Sequence, residues 1–577
     1  MTALSGQQGD VIAADLGPLS VLACAGSGKT RTAVHRLLEV RRRRGRKPGR
    51  VALLSFSNIA VDTFRNDFAK LCEAEAVSIG GGVEIDTIDG FITSNILRPH
   101  AYRVMQAPRA AFLVTGSEPF LAGFKLPPPS RGSPPVTVDQ IHAKVVGRRF
   151  EFFTDVFGNQ RALDKDAAVD LVKRLGKVGA YTHELGRYWC CLALAAEREL
   201  LRAFSHRYPE ILVDEAQDIG SAQQAILTSL AKAGSAVTLI GDPHQGIYEY
   251  AGADGVYLRN HSSSPFPLTR NYRSIPAITA VAQKLSRETG ETHRENPGPP
   301  AGAYAVPYEE AEIEALITSF REAVIACGLD PDRCAVLCRA SALVETISGG
   351  GRSVGTGAVR TLAKAATLRD VKGDLHRAFR LVAEALEHSL LDQPPDGLAG
   401  RLADLRRHPE LRPLRRLVWN YVRSSDGLPS AHLQADTDWL AALRTNTQTL
   451  LERISNELGF QAASNLGNRL SAKALPAAPI STVKAQATGR LRVDTVHGAK
   501  GETLDAVLYI TTKAHLDGML SGTASEIGRI GYVAVTRPRD LLWIGVPTAD
   551  FGASRAALEA VGLSTNLPDQ MRSENRS

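Results

Sequence analysis

The sequence predicts an α/β protein with parallel sheets, and three observations predict it. Six short runs, Ser20–Ala23, Val51–Phe56, Ile211–Val213, Ala236–Ile240, Ala335–Cys338 and Ala506–Ile510, are nearly continuous in apolar character, as strands covered on both faces are. Helix-like stretches separate these runs, the alternation expected of α/β layers. The composition, 44% hydrophobic and 22% charged residues, is that of an ordinary globular chain and excludes a fibrous or mostly disordered one.

At about 150 residues per domain, 577 residues make a multidomain protein, and two segments stand apart from the strand-bearing blocks. Residues 94–190 include the Pro/Gly-rich stretch Lys125–Pro135, which reads as a surface loop. Residues 361–484 are rich in Ala, Leu and Arg at helical spacing, as in AFRLVAEALEHSLL, and are broken at Asp392–Gly397. A glycine-rich hinge candidate, Ser348–Gly357, precedes them. The expected organisation is two α/β cores, each interrupted by a mostly helical insertion. Residues 1–93 and 191–265 make the first core, 266–360 and 485–560 the second, 94–190 and 361–484 the insertions, and 561–577 a flexible tail.

The net charge is +7, from 68 basic and 61 acidic residues, which permits a polyanionic partner without demonstrating one. The densest positive run, Arg41–Arg50, reads as a solvated loop between a helix and the strand at Val51, with a phosphate-backbone contact as the alternative. Seven cysteines, an odd number, do not make a disulfide framework. Cys190 and Cys191 fall in an apolar patch that reads as buried helix. The first residues are acidic and polar where a signal peptide needs a basic start and an apolar core, and no apolar stretch approaches the ~20 residues that span a bilayer. The expectation is a soluble cytoplasmic protein without a membrane partner.

The strongest local pattern is LSVLACAGSGKT, Leu19–Thr30: a strand, a turn of small residues, and Lys-Thr opening a helix. Gly26 and Gly28 let backbone N–H groups close around phosphate oxygens. Lys29 supplies positive charge to the terminal phosphates, Thr30 suits Mg²⁺, and the helix adds its N-terminal dipole. Ala25, Gly26, Ser27, Gly28, Lys29, Thr30 and Arg31 are the candidate nucleotide-binding set. Ala23 stands where the first glycine of G-x-x-x-x-G-K-[ST] is usual.

A nucleotide hydrolase also needs carboxylates on a neighbouring strand end, one for the metal and one for the attacking water. PEILVDEAQD, Pro209–Asp218, provides them: the strand Ile211–Val213 delivers Asp214 and Glu215 to its C-terminal end, the edge where open α/β sheets bind ligands. Asp214 is the candidate metal ligand, through water, and Glu215 the residue that polarises water.

AGSGKT and DEAQD together, with further motifs in the same order, resemble the superfamily-one helicases of the UvrD/Rep/PcrA type. LSGQQGDVI resembles the family's Gln motif, which implies that Gln8 recognises the adenine edge. LSFSNIAVDTFR resembles a segment that touches single-stranded DNA, with Phe56 at its stacking position and Asn58 beside it. DTIDGF is similar to the next DNA-contacting motif, with Asp89 where the family usually has His. IGDPHQGIYEYAGA resembles the segment that links ATP state to DNA: Gln245 matches the γ-phosphate sensor, Tyr248 and Tyr250 match its aromatic positions, and Ala251 replaces a common arginine. LTRNYRS implies Tyr272 stacked on adenine and Arg273 on the γ-phosphate. DTVHGAKGET aligns His497, Lys500 and Gly501 with T-x-H-x-x-K-G-L-E, and Thr503 with its glutamate. GRIGYVAVTRPRD resembles the last motif, with Arg537 as arginine finger.

The resemblance implies two RecA-like parallel-sheet cores enclosing an ATP cleft. It implies ATP and Mg²⁺ as cofactors, single-stranded or tailed duplex DNA as partner, and 3′→5′ translocation in repair or recombination. On this reading Arg273 and Arg537 gain their partners only when the γ-phosphate is bound. The alternative is an ATP-consuming, DNA-sensing subunit that works with a separate nuclease partner, as in defence systems such as Gabija.

Overall fold

The computed structural model describes all residues except 1–3, 78–81, 115–117, 130–134, 148, 157–158, 249–251, 254, 341–342, 345–346, 348–356, 372, 393, 396–397, 404–407, 474, 476, 482–490, 569–570 and 572–577. Most of the hinge candidate at Ser348–Gly357, and Tyr250 and Ala251, lie outside the described residues. Contacts divide the chain into two units. One comprises residues 1–116, 123–339 and 494–577, the other 117–122 and 340–493.

All six expected strands form. The first unit holds two large sheets. One has six parallel strands in the order Phe266–Leu268, Leu19–Ala23, Ala236–Gly241, Glu210–Val213, Val51–Ser55, Val83–Thr87. Its central strands are buried along nearly their whole length, the two-faced burial that a continuous apolar run foretells. Helices Lys29–Arg44 and Asn58–Ala74 cover it through Leu37, Leu38, Phe64 and Phe68, which pack with Val21, Val51 and Leu53.

The other sheet has five strands in the order Gly302–Tyr308, Pro538–Pro547, Leu504–Ile510, Cys334–Cys338, Arg492–Thr495, and its first three pairings are parallel. Its core joins Val507, Tyr509, Leu542 and Ile544 to Ile278, Val281, Ile530 and Val533 from flanking helices. The main chain passes from one sheet to the other once, after Leu268.

Two expectations need correction. Residues 94–190 are not mostly helical: beside helices Lys165–Lys177 and His183–Ala196 they carry a three-stranded antiparallel sheet of His142–Val146, Arg149–Val156 and Asn159–Ala162. RFEF, Arg149–Phe152, opens with the apolar/polar alternation of a half-buried strand, after which Phe152, Phe153 and Thr154 are buried in succession. The run Arg41–Arg50 is also not wholly a loop. Arg41–Arg44 form the last turn of the Lys29–Arg44 helix, where positive charge complements the helix dipole, and Arg42 pairs with Glu75 at 2.7 Å.

The second unit is helical among its described residues, with Gly357–Asp370, Leu375–Ala385, Arg412–Arg423 and Leu440–Leu458 as its longer helices. Their apolar faces meet around Leu362, Val382, Leu417, Trp439 and Leu443.

Candidate active site

The turn between Ala23 and Lys29 is shaped by two left-handed glycines, Gly26 (φ 72°) and Gly28 (φ 79°). Side chains are excluded at both. A Cβ on Gly26 would lie 2.7 Å from Arg273 Cβ and from Asn271 Oδ1, and one on Gly28 2.7 Å from Gln8 Nε2. Gly28 caps the 16-residue Lys29–Arg44 helix without any side-chain hydrogen bond to its first N–H groups, which leaves that turn suited to an anion. Lys29, Thr30 and Arg31 are half-buried on this turn, while Ala25 and Ser27 are buried. The Ser27 hydroxyl is buried and has no partner among the described residues.

The Gln8 side chain lies between the first helix and the glycine turn. Its amide oxygen accepts from Ser5 N at 3.1 Å, its Nε2 donates to the Ser27 carbonyl at 3.1 Å, and the residue is 2% exposed. Both ends of the amide are thus committed to a helix cap and to the glycine turn. Gln7 holds Thr269, its Oε1 accepting from Thr269 N at 3.0 Å.

Asp214 and Glu215 leave the end of the Glu210–Val213 strand beside Lys29. Asp214 is buried, and its Oδ1 has no protein partner. Burial and the neighbouring charge of Glu215 push its carboxyl up, with Lys29 pulling the other way. Glu215 is held below the usual carboxylate range against the cost of its burial, by Lys29, Lys500, a hydrogen bond from Gln217 and Arg537. Its backbone is left-handed (φ 52°), uncommon for a residue with a side chain and frequent at functional turns.

These features suit a nucleotide triphosphate with its metal. A buried hydroxyl and a buried carboxylate oxygen lack partners among the described residues, and two left-handed glycines shape a turn whose helix N–H groups no side chain caps. Thr30 and Asp214 are the residues that would hold Mg²⁺.

The opposite wall comes from the second sheet. Arg537 is fully buried: Nη2 donates to Gln245 Oε1 at 2.9 Å, Nη1 to the Glu502 carbonyl at 3.2 Å, and Nε to the Val533 carbonyl at 3.1 Å. Gln245 Nε2 donates to Asp242 Oδ2 at 2.7 Å. Arg273 donates to the Thr536 carbonyl at 3.0 Å, and burial, then repulsion from Arg537, pushes its pKa down. The expectation that both arginines gain partners only with a bound γ-phosphate is therefore wrong. Buried guanidinium N–H groups must be satisfied, and protein carbonyls and Gln245 satisfy them here.

Tyr272 donates its N–H to the Gly26 carbonyl at 2.8 Å, and its ring lies 5.0 Å from that of His293, with the Arg270 guanidinium 5.8 Å away.

Among the residues expected to meet DNA, Tyr248 and His497 touch, with ring centroids 5.7 Å apart and Lys500 Nζ 4.8 Å over the tyrosine. Burial pushes the His497 imidazole down. Phe56, half-buried, and Asn58, exposed, stand two strands away at the end of Val51–Ser55. Asp89 is turned into the protein, accepting from Arg187 at 3.0 and 2.7 Å and from Gln223 at 3.1 Å.

Gln217 and Asp218, both at the site, were not singled out by motif reading. Gln217 Oε1 accepts from Asp242 N at 3.0 Å while its Nε2 donates to Glu215. Lys500 Nζ pairs with Asp218 at 2.5 Å and donates to the Gln245 carbonyl at 2.7 Å. The letters of DEAQD contained the signal for Gln217 and Asp218, but their partners come from distant segments.

Two α/β cores facing each other, with polar residues of both at one cleft, define the class to which this chain belongs. Its relatives are found by comparison. Residues 4–124 and 149–264 match the UvrD/REP helicase N-terminal domain. The chain is 26% identical over 375 residues to ATP-dependent DNA helicase UvrD2 of Mycobacterium tuberculosis, covering 59% of this chain and 53% of that protein. It is 25% identical over 376 residues to DNA helicase II of Haemophilus influenzae, with 60% and 49% covered. To DNA helicase II of Escherichia coli it is 27% identical over 313 residues, with 49% and 40% covered. The resemblance to UvrD-type superfamily-one helicases holds, and the chain spans about half the length of these curated relatives. No helix among the described residues is long and apolar enough to cross a membrane.

Proposed function

We propose that this chain is an ATP-dependent DNA helicase or translocase that moves 3′→5′ on single-stranded DNA and acts in repair or recombination. The observation that carries the reading is the convergence of Lys29, Asp214, Glu215 and Gln245 from one core with Arg273 and Arg537 from the other. Lys29 and the first helical N–H groups bind phosphate, Glu215 orients water, and the two arginines meet charge developing on the transferred phosphoryl group. Arginines in that role are worth ~10³–10⁵ in turnover. Mg²⁺, when bound at Thr30 and Asp214, would neutralise phosphate charge. Gln245 lies five residues before Tyr250 in sequence, the aromatic residue that the resemblance assigns to base stacking, so a change at the phosphates would reach a DNA contact. Such stacking contributes ~1–3 kcal/mol per base and tolerates any sequence.

The test is steady-state ATP hydrolysis by the purified chain with and without single-stranded DNA, together with strand separation on a 3′-tailed duplex. Stimulation with unwinding is expected. Stimulation without unwinding would favour the nuclease-partnered DNA sensor, and a co-purifying nuclease would then be sought. Absence of hydrolysis under all conditions would overturn both.

A further inference from the structure

The loop Asp242–Gly246 meets the second core through a side chain that the proposed reaction does not use. His244 has 9% of its side chain exposed, and both ring nitrogens are engaged. Nδ1 lies 2.6 Å from the Thr523 hydroxyl and Nε2 lies 2.8 Å from Glu288 Oε1. The backbone N–H of His244 donates to Asp242 Oδ1 at 3.0 Å, and the other oxygen of Asp242 holds Gln245. Ring, backbone and Gln245 are therefore fixed as one piece.

Both partners of the ring follow helix ends of the second core. Helix Pro276–Ser286 ends at the left-handed Arg287 (φ 60°), just before Glu288. Helix Lys513–Leu520 is followed by Gly522 (φ 89°), just before Thr523, and a Cβ on Gly522 would lie 3.0 Å from the Leu285 carbonyl. The two helix ends abut where the imidazole enters. Arg529 grips the same turn, donating to the Gly246 carbonyl and, at 3.2 Å, to the Ala524 carbonyl.

We infer that His244 is a positioning residue, a two-sided bridge that holds the Gln245 loop of the first core against the second core and so governs how readily the cleft closes. The inference rests on the reading of that cleft as an ATP site. In the neutral ring, Nε2–H donates to Glu288 while Nδ1 accepts from the Thr523 hydroxyl. In the protonated ring both nitrogens donate, and the hydroxyl turns to accept. The bridge therefore persists in either protonation state. A contact made only in the closed arrangement raises the closed fraction, and apparent nucleotide affinity rises in proportion to that fraction. Loss of the bridge should thus act on affinity more than on turnover at saturation.

The experiment uses the full chain and a fluorescent, slowly hydrolysed ATP analogue, with KM and kcat for ATP measured beside it. His244→Ala should raise the analogue's Kd and the KM about five- to tenfold, the scale of one lost net hydrogen bond, with a smaller fall in kcat. His244→Asn keeps the Nδ1 position and His244→Gln the Nε2 position, so each should recover part of the affinity. Glu288→Gln should fall between wild type and His244→Ala. If His244→Ala does not fold, the Asn, Gln and Glu288 variants decide the same question. Wild-type binding with unchanged Kd and KM in every variant, or a fall in kcat alone, would overturn the bridge. Failure of the wild type to bind the analogue would overturn the ATP-site reading and the bridge with it.

Discussion

Arg537 and Gln245 are joined directly, Nη2 to Oε1 at 2.9 Å, although one precedes a strand of the second sheet and the other follows a strand of the first. The contact is one link in a run from Asp242 through Gln245 and Arg537 to the Glu502 carbonyl. Arg537→Ala would leave these buried acceptors unpaired as well as removing the charge. Turnover should fall by ~10³ or more, and the melting temperature should drop. Arg537→Lys should recover little, because one ammonium cannot serve the several acceptors that the guanidinium reaches. ATP hydrolysis and thermal melts of both variants check this, and near-normal turnover in the lysine variant would count against a bidentate role.

Lys29 lies close enough to Asp214 and Glu215 to oppose the rise that burial imposes on Asp214 and to help hold Glu215 below its ordinary range. Lys29→Ala should abolish hydrolysis while single-stranded DNA binding, followed by fluorescence anisotropy, is largely retained. Loss of both together would show that the glycine turn needs Lys29 for its shape.

Lys500 and Asp218 give a pH-dependent outcome. Burial pushes the Asp218 carboxyl up to about 6, with Lys500 pulling the other way. A carboxyl raised above its ordinary value contributes its stability below that value and loses it as pH rises through the folded pKa. Lys500→Met removes the opposing charge and raises Asp218 further. Near pH 5 the carboxyl then carries its proton and the loss is small, whereas near pH 8 a buried unpaired charge costs about 3–5 kcal/mol. Thermal denaturation at the two pH values should differ accordingly, and equal losses would refute the pairing.

Glu210 sits at the far end of the strand that delivers Asp214. It is 5% exposed, its Oε2 has no partner, and burial pushes it up to about 7, with Arg36 and Arg44 opposing. By the same sign, its charge costs stability as pH rises from its ordinary range through about 7. Glu210→Gln should stabilise the fold near pH 8 by on the order of 1–2 kcal/mol, with little gain near pH 5 and unchanged ATP hydrolysis. Differential scanning calorimetry reads the difference.

Asp89 accepts from Arg187 and Gln223, which with the Arg187 charge hold its carboxyl below the usual range despite burial. Arg187→Met should destabilise the protein by about 1–3 kcal/mol, and Asp89→Asn in the same chain should return part of that loss. A double-mutant cycle by denaturant titration measures the coupling, and additive effects would show that the pair is independent.

The strands that were legible are those buried on both faces. Val83–Thr87 buries only Ile85 fully, and Arg492–Thr495 has no fully buried residue, so these edge strands lack the continuous apolar signature. Gly302–Tyr308 carries a proline, a glycine and two alanines, which mask a strand that is nonetheless buried at most positions. At the site, motif letters placed Lys29, Asp214, Gln245 and Arg537 in advance. They did not give the links among them, because those arise only when remote segments fold together: Lys500 meets Asp218 across 282 positions of sequence. Gln8 carries links its motif did not show, to Ser5 N and to the Ser27 carbonyl.

The single passage of the main chain from one sheet to the other has a mechanical consequence. Immediately after that passage Tyr272 is fastened to Gly26, and Asn271 Oδ1 accepts from Arg273 N at 2.7 Å. The covalent pivot between the cores therefore lies against the phosphate turn itself. A ligand that reshaped the glycine turn would therefore act directly on the segment that joins the two sheets.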